Sequence, residues 1–466
     1  MEFSSLIFLF VFFPIFIFSY FIFKNRAYRN FVLLIFSLLF YAWGEPIYIF
    51  LMLLSIIVNY FLAILIDQYS KKAKILLLIS IIFNVGLLII FKYTNFFIDG
   101  FNWLFNAHIS KQNIALPIGI SFYTFQILSY VIDVYRKNVK VQKNIFYLGC
   151  YITAFPQLIA GPIVKYSTID KELTDRCENI EDISSGIRLF VKGLAKKVII
   201  ANNVGFITDS ILPLGATSYG FIGALVAMIA YTLQIYFDFS GYSDMAIGMG
   251  RILGFHFDIN FNYPYISKSI TEFWRRWHIS LSSWFKEYVY IPLGGNRVGK
   301  LRLIINILIV WALTGLWHGA SFNFLLWGLY YGIILLLEKL VLNKVLDKMP
   351  SIVKHIYVLF IVVIGWTIFR NENFNDLKEV FGSLIGLYGL GNMKIFTFTQ
   401  CLSFRHIVAI VLGIIFSTPI LNTINNKLCS YKYGSWIRDT VIIVVFIICI
   451  INLVSGSYNP FIYFRF

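Results

Sequence analysis

The sequence predicts an all-α integral membrane protein that crosses the bilayer many times, and three observations carry that reading. Hydrophobic residues fill 59% of the 466 positions and charged residues only 13%, where a soluble globular chain carries roughly a quarter. Such a chain has too few charges to cover a water-facing surface. Its apolar residues gather in runs that approach the roughly 20 positions a helix needs to cross a bilayer. The basic residues, which give a formal net charge of +16, cluster in short loops between those runs, the distribution of cytoplasmic loops.

The first run, 4–23, has neither a basic segment before it nor a small-residue cleavage site, and reads as a retained helix. Runs at 31–43, 47–66 and 75–91 read as further spanning or near-spanning helices. Lys24, Arg26 and Arg29 follow the first run, and Lys71, Lys72 and Lys74 follow the third. The turn Gly44-Glu45-Pro46 carries no basic residue. That alternation puts the N-terminus outside and the loops near 24–30 and 67–74 in the cytoplasm.

Residues 116–162 mix apolar stretches with Pro117, Gly119, Pro156, Gly161 and Pro162. They predict short, broken or interfacial helices, which survive at membrane depth only when buried in protein or lining a wet cavity. The stretch 163–198 is polar and basic, with Lys165, Lys171, Arg176, Arg188, Lys192, Lys196 and Lys197, and reads as cytoplasmic. A long apolar stretch at 219–254 is interrupted by FDFSGYSD at 237–244. Residues 260–300 are aromatic and basic together, too charged to span simply, and read as re-entrant or interfacial.

Runs at 303–317, 324–342, 352–369, 406–424 and 440–454 complete the set, and an amphipathic stretch within 371–405 reads as lying on the membrane surface. The last run follows Lys427, Lys432 and Arg438 and so starts inside, which sends the tail SYNPFIYFRF outside. The total is roughly 11–12 spans plus re-entrant or interfacial helices. No internal repeat or soluble domain interrupts the chain, which reads as one polytopic domain over 1–466.

The composition also bounds function. No basic face or stacking platform suggests a nucleic acid partner, and the lipid bilayer itself accounts for the aromatic content of 19%. The five cysteines, Cys150, Cys177, Cys401, Cys429 and Cys449, are scattered and lack CxxC spacing. They form neither a disulfide framework nor a metal site by pattern.

Ionisable groups at membrane depth are functional candidates by default. Three clusters qualify. The first is TGLWHGASF at 314–322. His318 would lie roughly 20 Å along a helix from the basic loop, flanked by Gly315 and Gly319, which permit close approach. A neutral imidazole there can act as a general base. A buried histidine bonded to a neighbouring helix is the plainer reading. The second is TEFWRRWHISLSSWFKEYVY at 271–290. Arg275 and Arg276 beside Trp274 and Trp277 form a cationic, aromatic patch suited to phosphate or, equally, to anchoring at the interface. His278 and Ser280 follow. The third is QIYFDFSGYSD at 234–244. Asp238 and Asp244 there can orient a histidine, pair with Arg275 or Arg276, or cap helices near Gly241. His108, His256, His355 and His406 read as structural or exposed.

Taken together these segments resemble the membrane-bound O-acyltransferase (MBOAT) family, in its bacterial branch of export-coupled acylation, which includes the membrane subunit of alginate O-acetylation. The resemblance runs through FSSLIFLFVFFPIF at 3–16, LPIGISFYTFQILSYVIDVYR at 116–136, FPQLIAGPIV at 155–164, YFDFSGYSDMAIGMG at 236–250, PYISKSITEFWRRWHISLSSWFKEYVYIPLGGNR at 264–297 and GLWHGASFNFLLWG at 315–328. It implies a ring of tilted helices around a central funnel, with the core over about 1–425 and an extra C-terminal helix and tail over about 438–466. It implies an O-acetyltransferase in which the family's invariant histidine is His318 and its upstream partner is His278. Acetyl-coenzyme A is implied as the cytoplasmic donor substrate, with no permanently bound cofactor and no metal.

The tail FIYF at 461–464 is similar to a motif of exporting acylation systems, whose tyrosine, here Tyr463, is a candidate acyl acceptor. An aromatic anchor is the equal alternative. The resemblance further implies a bacterial inner-membrane location, an extracytoplasmic partner transferase of the SGNH type, and a polysaccharide acceptor such as alginate, peptidoglycan or cellulose. Two other readings stay open at this point: a transporter using Asp238, His278 and His318 as an ion relay, and a lipid-acylating MBOAT.

Overall fold

The computed structural model describes residues 2–159, 161–391, 401–456 and 458–462. The regular structure there is helical, and no strand occurs among the described residues. Among the described residues, eight helices are long and apolar enough to cross a membrane: Arg26–Gly44, Tyr48–Gln68, Ser70–Phe105, Ala216–Ile252, Lys300–His318, Phe322–Leu346, Ser351–Arg370 and Gly434–Ser455. The pair Phe404–Phe416 and Ile420–Cys429, bent by 75°, makes a ninth if it is one broken span. The other apolar runs form shorter helices, Phe8–Phe21, Ile120–Tyr135 and Ile145–Thr153. The last two fall where proline and glycine punctuate the sequence.

The chain divides into two compact units. The first comprises residues 1–190, 245–258 and 286–288. Polar side chains hold its apolar helices together. Asn59 on Tyr48–Gln68 accepts from Ser80 at 2.6 Å and from Asn84 at 2.8 Å, all three buried. Hydrogen bonds between helices suit a bilayer, where burial of apolar surface cannot drive association. Glu178 gathers Arg26 and Arg29 at 2.5 Å each and Tyr20 at 2.7 Å. Burial alone would raise the pKa of Glu178, but the hydrogen bonds from Arg26 and Tyr20 and the charges of Arg26 and Arg29 together outweigh it, and the net shift is downward. Tyr288 donates to Asp133 at 2.8 Å and Lys165 pairs with Glu287 at 2.6 Å, which ties 286–288 to this unit.

The second unit comprises residues 191–244, 259–285 and 289–466. Its centre is the hairpin of Lys300–His318 and Phe322–Leu337, the most intimate helix pair of the fold. Ser321 caps the second helix, accepting from the Phe324 N–H. Two glycines permit the contact. A Cβ on Gly315 would meet the Phe324 carbonyl oxygen at 2.2 Å, and one on Gly328 would meet the Trp311 carbonyl oxygen at 2.2 Å. Against the hairpin packs an aromatic core of Trp274, Trp277, Trp327, Tyr331 and Trp366.

FDFSGYSD does not break its helix. Ala216–Ile252 continues through 237–244, and its one non-helical residue is Gly220. The small residues serve packing. A Cβ on Gly241 would meet the Gly193 carbonyl oxygen at 2.7 Å, and Ser240 and Ser243 are buried.

Candidate active site

His318 ends the helix Lys300–His318 and is 7% exposed. Its ring meets Trp317, Trp327 and Phe369 edge-on, with centroids 4.9, 5.0 and 5.2 Å away. It faces a small, partly open pocket. Asp238, Phe239, Trp277 and Trp366 line the same cavity, and so does Ile462 from the C-terminal tail.

His278 follows the short helix Ile270–Arg276 and takes a left-handed φ of +43°, a conformation that disfavours most side chains. Asn260 explains how it is held. The Asn260 Oδ1 accepts from the Ser280 N–H at 3.1 Å and from the Ser280 hydroxyl at 3.0 Å, and lies 3.3 Å from His278 Nδ1. A backbone N–H can only donate, so the Asn260 atom it faces must be the oxygen. That makes Nδ1 the protonated nitrogen of His278 and leaves Nε2 with its lone pair. Nε2 is buried with no hydrogen-bond partner among the described residues. Burial lowers the His278 pKa to about 3, so the ring is neutral near pH 7.

The two histidines are separated by Trp317, whose ring lies 5.9 Å from His278 and 4.9 Å from His318. His278 stands behind Phe239, 4.6 Å between centroids, and is not among the cavity-lining residues.

The helix that delivers His278 is anchored by Glu338. This fully buried carboxylate accepts from the Ile270 N–H at 2.6 Å, the Thr271 N–H at 2.8 Å and the Thr271 hydroxyl at 2.7 Å. An anion at a helix N-terminus satisfies donors that the helix leaves open.

Several sequence expectations are corrected here. Trp274 and Trp277 do not share a surface patch with the arginines. They turn inward, Trp274 to 4.7 Å from Trp311 and Trp277 to 4.7 Å from Trp366, because burying an indole among aromatics outweighs leaving it at an interface. Arg275 is exposed, while Arg276 is engaged by Glu272 at 2.9 Å. Asp238 and Asp244 pair with neither arginine. Asp244 meets Lys196 at 2.7 Å and Asp238 meets Lys197 at 2.7 Å. Lys197 is therefore not part of a solvated basic stretch but buried, with 1% of its side chain exposed. Tyr463 lies outside the described residues.

The sequence reading missed Asn260, Glu338 and Lys197 as contributors. Asn260 and Glu338 left a faint signal, one of two amides (with Asn262) in an aromatic stretch and a lone acid in the apolar run 324–342. Lys197 left none, since it follows Lys196 in a basic segment.

With its membrane-crossing helices and its family match, the protein is a multi-pass membrane acyltransferase. It belongs to the membrane-bound O-acyltransferase (MBOAT) family, whose model matches residues 35–370. It is 36% identical to the probable alginate O-acetylase AlgI of Pseudomonas putida, over 100% of both chains. It is 34% identical to the peptidoglycan O-acetyltransferase of Helicobacter pylori, over 100% of this chain and 97% of that one. It is 30% identical to the teichoic acid D-alanyltransferase of Bacillus subtilis, over 58% of this chain and 72% of that one.

Proposed function

We propose that the protein takes an acetyl group from acetyl-coenzyme A on the cytoplasmic side of a bacterial inner membrane and passes it outward for O-acetylation of an extracytoplasmic polysaccharide. The observation that carries this reading is the cavity that His318 shares with the C-terminal tail through Ile462. Relatives named for alginate and peptidoglycan acetylation favour a polysaccharide or wall polymer as the final acceptor.

In this reading His318 is the general base. It takes the proton of an acceptor hydroxyl as the oxygen attacks the thioester carbonyl carbon. The carbon–sulfur bond breaks, and the coenzyme A thiolate leaves and recovers a proton from the imidazolium. The acceptor hydroxyl is that of Tyr463, one residue beyond Ile462 in the sequence. His278, neutral and held by Asn260, supplies a second lone pair behind Phe239 and Trp317 and keeps that wall polar. Asp244 and Ser280 act through their partners Lys196 and Asn260. Arg275, exposed, meets the coenzyme phosphates. The N- and C-termini face outward, and an SGNH-type partner carries the acetyl group from the tail to the polymer.

A thiol-release assay tests this. Purified protein in nanodiscs receives acetyl-coenzyme A, and free coenzyme A is followed in the wild type, His318→Ala and Tyr463→Phe. Release that disappears in His318→Ala is expected. Wild type that releases no thiol, even with a partner transferase and polysaccharide added, would sink the proposal.

A further inference from the structure

The last described residues of the chain are held one by one. The Tyr458 hydroxyl donates to Asp209 at 2.7 Å, and Asp209 also receives Arg370 at 2.8 Å. Asn202 donates to the Asn459 side chain at 2.9 Å. Lys197 donates to the Pro460 carbonyl oxygen. The Phe461 ring stacks on Tyr242 with centroids 4.6 Å apart. The Ile462 N–H donates to Asp238 at 2.9 Å.

Lys197 and Asp238 are the unusual members. They pair at 2.7 Å with side chains 1% and 2% exposed. A buried ion pair gains little net stability, because removing two charges from water offsets their attraction unless other hydrogen bonds satisfy both ions. Here those extra bonds come from the tail: a main-chain carbonyl for the ammonium and, two residues on, a main-chain N–H for the carboxylate. Main-chain contacts of this kind hold a peptide segment regardless of its side chains, while the neighbours of its side chains supply selectivity. Phe461 stacks on Tyr242, and Ile462 forms part of the wall of the His318 cavity.

We infer that the Lys197–Asp238 pair is a docking site for a peptide segment, occupied by this chain's own residues 458–462, and that the two residues position that segment at the His318 cavity. Docking stands on the contacts alone; its catalytic consequence rests on the acyl-transfer reading above. Neither residue touches the transferred group in this scheme. They act by fixing where the tail lies.

Hydrogen–deuterium exchange of the full-length protein in nanodiscs tests the inference. The double variant Lys197→Met with Asp238→Leu replaces the ions by apolar groups of similar size, a change that buried pairs tolerate. Amides in 458–462 should exchange about tenfold faster or more, the factor expected for loss of one charged hydrogen bond, while the helix Gly434–Ser455 exchanges as before. A second pair of variants leaves the ions in place. Ile462→Pro deletes the N–H donor to Asp238 together with the side chain and fixes φ, and Ile462→Ala loses the side chain but keeps that donor. Faster exchange of the tail in Ile462→Pro than in Ile462→Ala is expected. Equal protection in that pair, or wild-type protection in the double variant, overturns the docking site. On the catalytic arm, coenzyme A release by the double variant should fall about tenfold in kcat, by the same factor, with KM for acetyl-coenzyme A unchanged. A wild type without thiol release would remove the acyl-transfer reading and leave the exchange result to decide docking by itself.

Discussion

Asn260 sets the tautomer of His278. Its Oδ1 accepts from the Ser280 N–H at 3.1 Å and faces His278 Nδ1 at 3.3 Å, so one amide both fixes the loop after Trp277 and directs the imidazole's bare Nε2 away from itself. The strained φ of His278 is tolerated because this contact and the surrounding rings over-determine it.

Asn260→Ala should take from the half-buried Ser280 N–H and the buried His278 Nδ1 the acceptor they share. The expected loss is about 1–3 kcal/mol of stability, read as a lowered midpoint in thermal unfolding in detergent. Unchanged stability would mean that the amide does not hold the loop.

His278 makes stability depend on acid. Its pKa falls from an ordinary 6.5 to about 3 on folding, so the unfolded chain binds a proton more readily than the folded one. The stability tied to its neutral form is fully present above pH 6.5 and is lost as pH falls from there toward 3. Thermal midpoints measured between pH 7.5 and pH 4 should drop more steeply for the wild type than for His278→Asn, in which the titrating group is gone and the left-handed backbone remains acceptable.

His318→Ala should reduce thiol release by at least about 100-fold, the lower range of a general base's contribution, without shifting the thermal midpoint by more than a few degrees. A variant with near-wild-type turnover would remove His318 from the chemistry.

Glu338→Ala should unfasten the start of Ile270–Arg276. Two N–H groups and a hydroxyl lose their acceptor, and about 1–3 kcal/mol per buried donor is at stake. Reduced stability together with reduced thiol release is expected, since the same helix delivers His278. Glu338→Gln, which keeps one carbonyl oxygen, should fall between.

Gly315→Ala should force apart the helix pair that bears His318. The added Cβ would lie 2.2 Å from the Phe324 carbonyl oxygen, backbone that cannot rotate away. The expected effect is a destabilisation of about 1–3 kcal/mol with loss of activity, and Gly44→Ala, which meets nothing within 4 Å, serves as the control.

Much of the site is legible in sequence where a polar residue interrupts an apolar run. His318 and Asp238 declare themselves in this way, because an isolated ionisable group at membrane depth is unfavourable without a role. Trp274 and Trp277 mislead for a related reason. Interfacial belts and buried aromatic cores use the same residues, and only the direction of the side chain separates them. FDFSGYSD misleads because glycine and serine read as a break, yet in a crowded bundle they let helices approach.

By itself the sequence determined that the protein is an all-α membrane protein, that it carries many membrane helices, and that His318 follows an apolar run at membrane depth. These follow from composition, run length and local spacing, which act over a few residues. Only the tertiary structure decided that Lys197 neutralises Asp238, that Asn260 orients His278, that Glu338 caps a helix 68 residues before it, and that Ile462 reaches the His318 cavity. Each of these joins groups remote in the chain, and the choice among many possible partners falls to packing: inside a low-dielectric interior a charge or amide must find whichever complementary group the fold brings within about 3 Å of it.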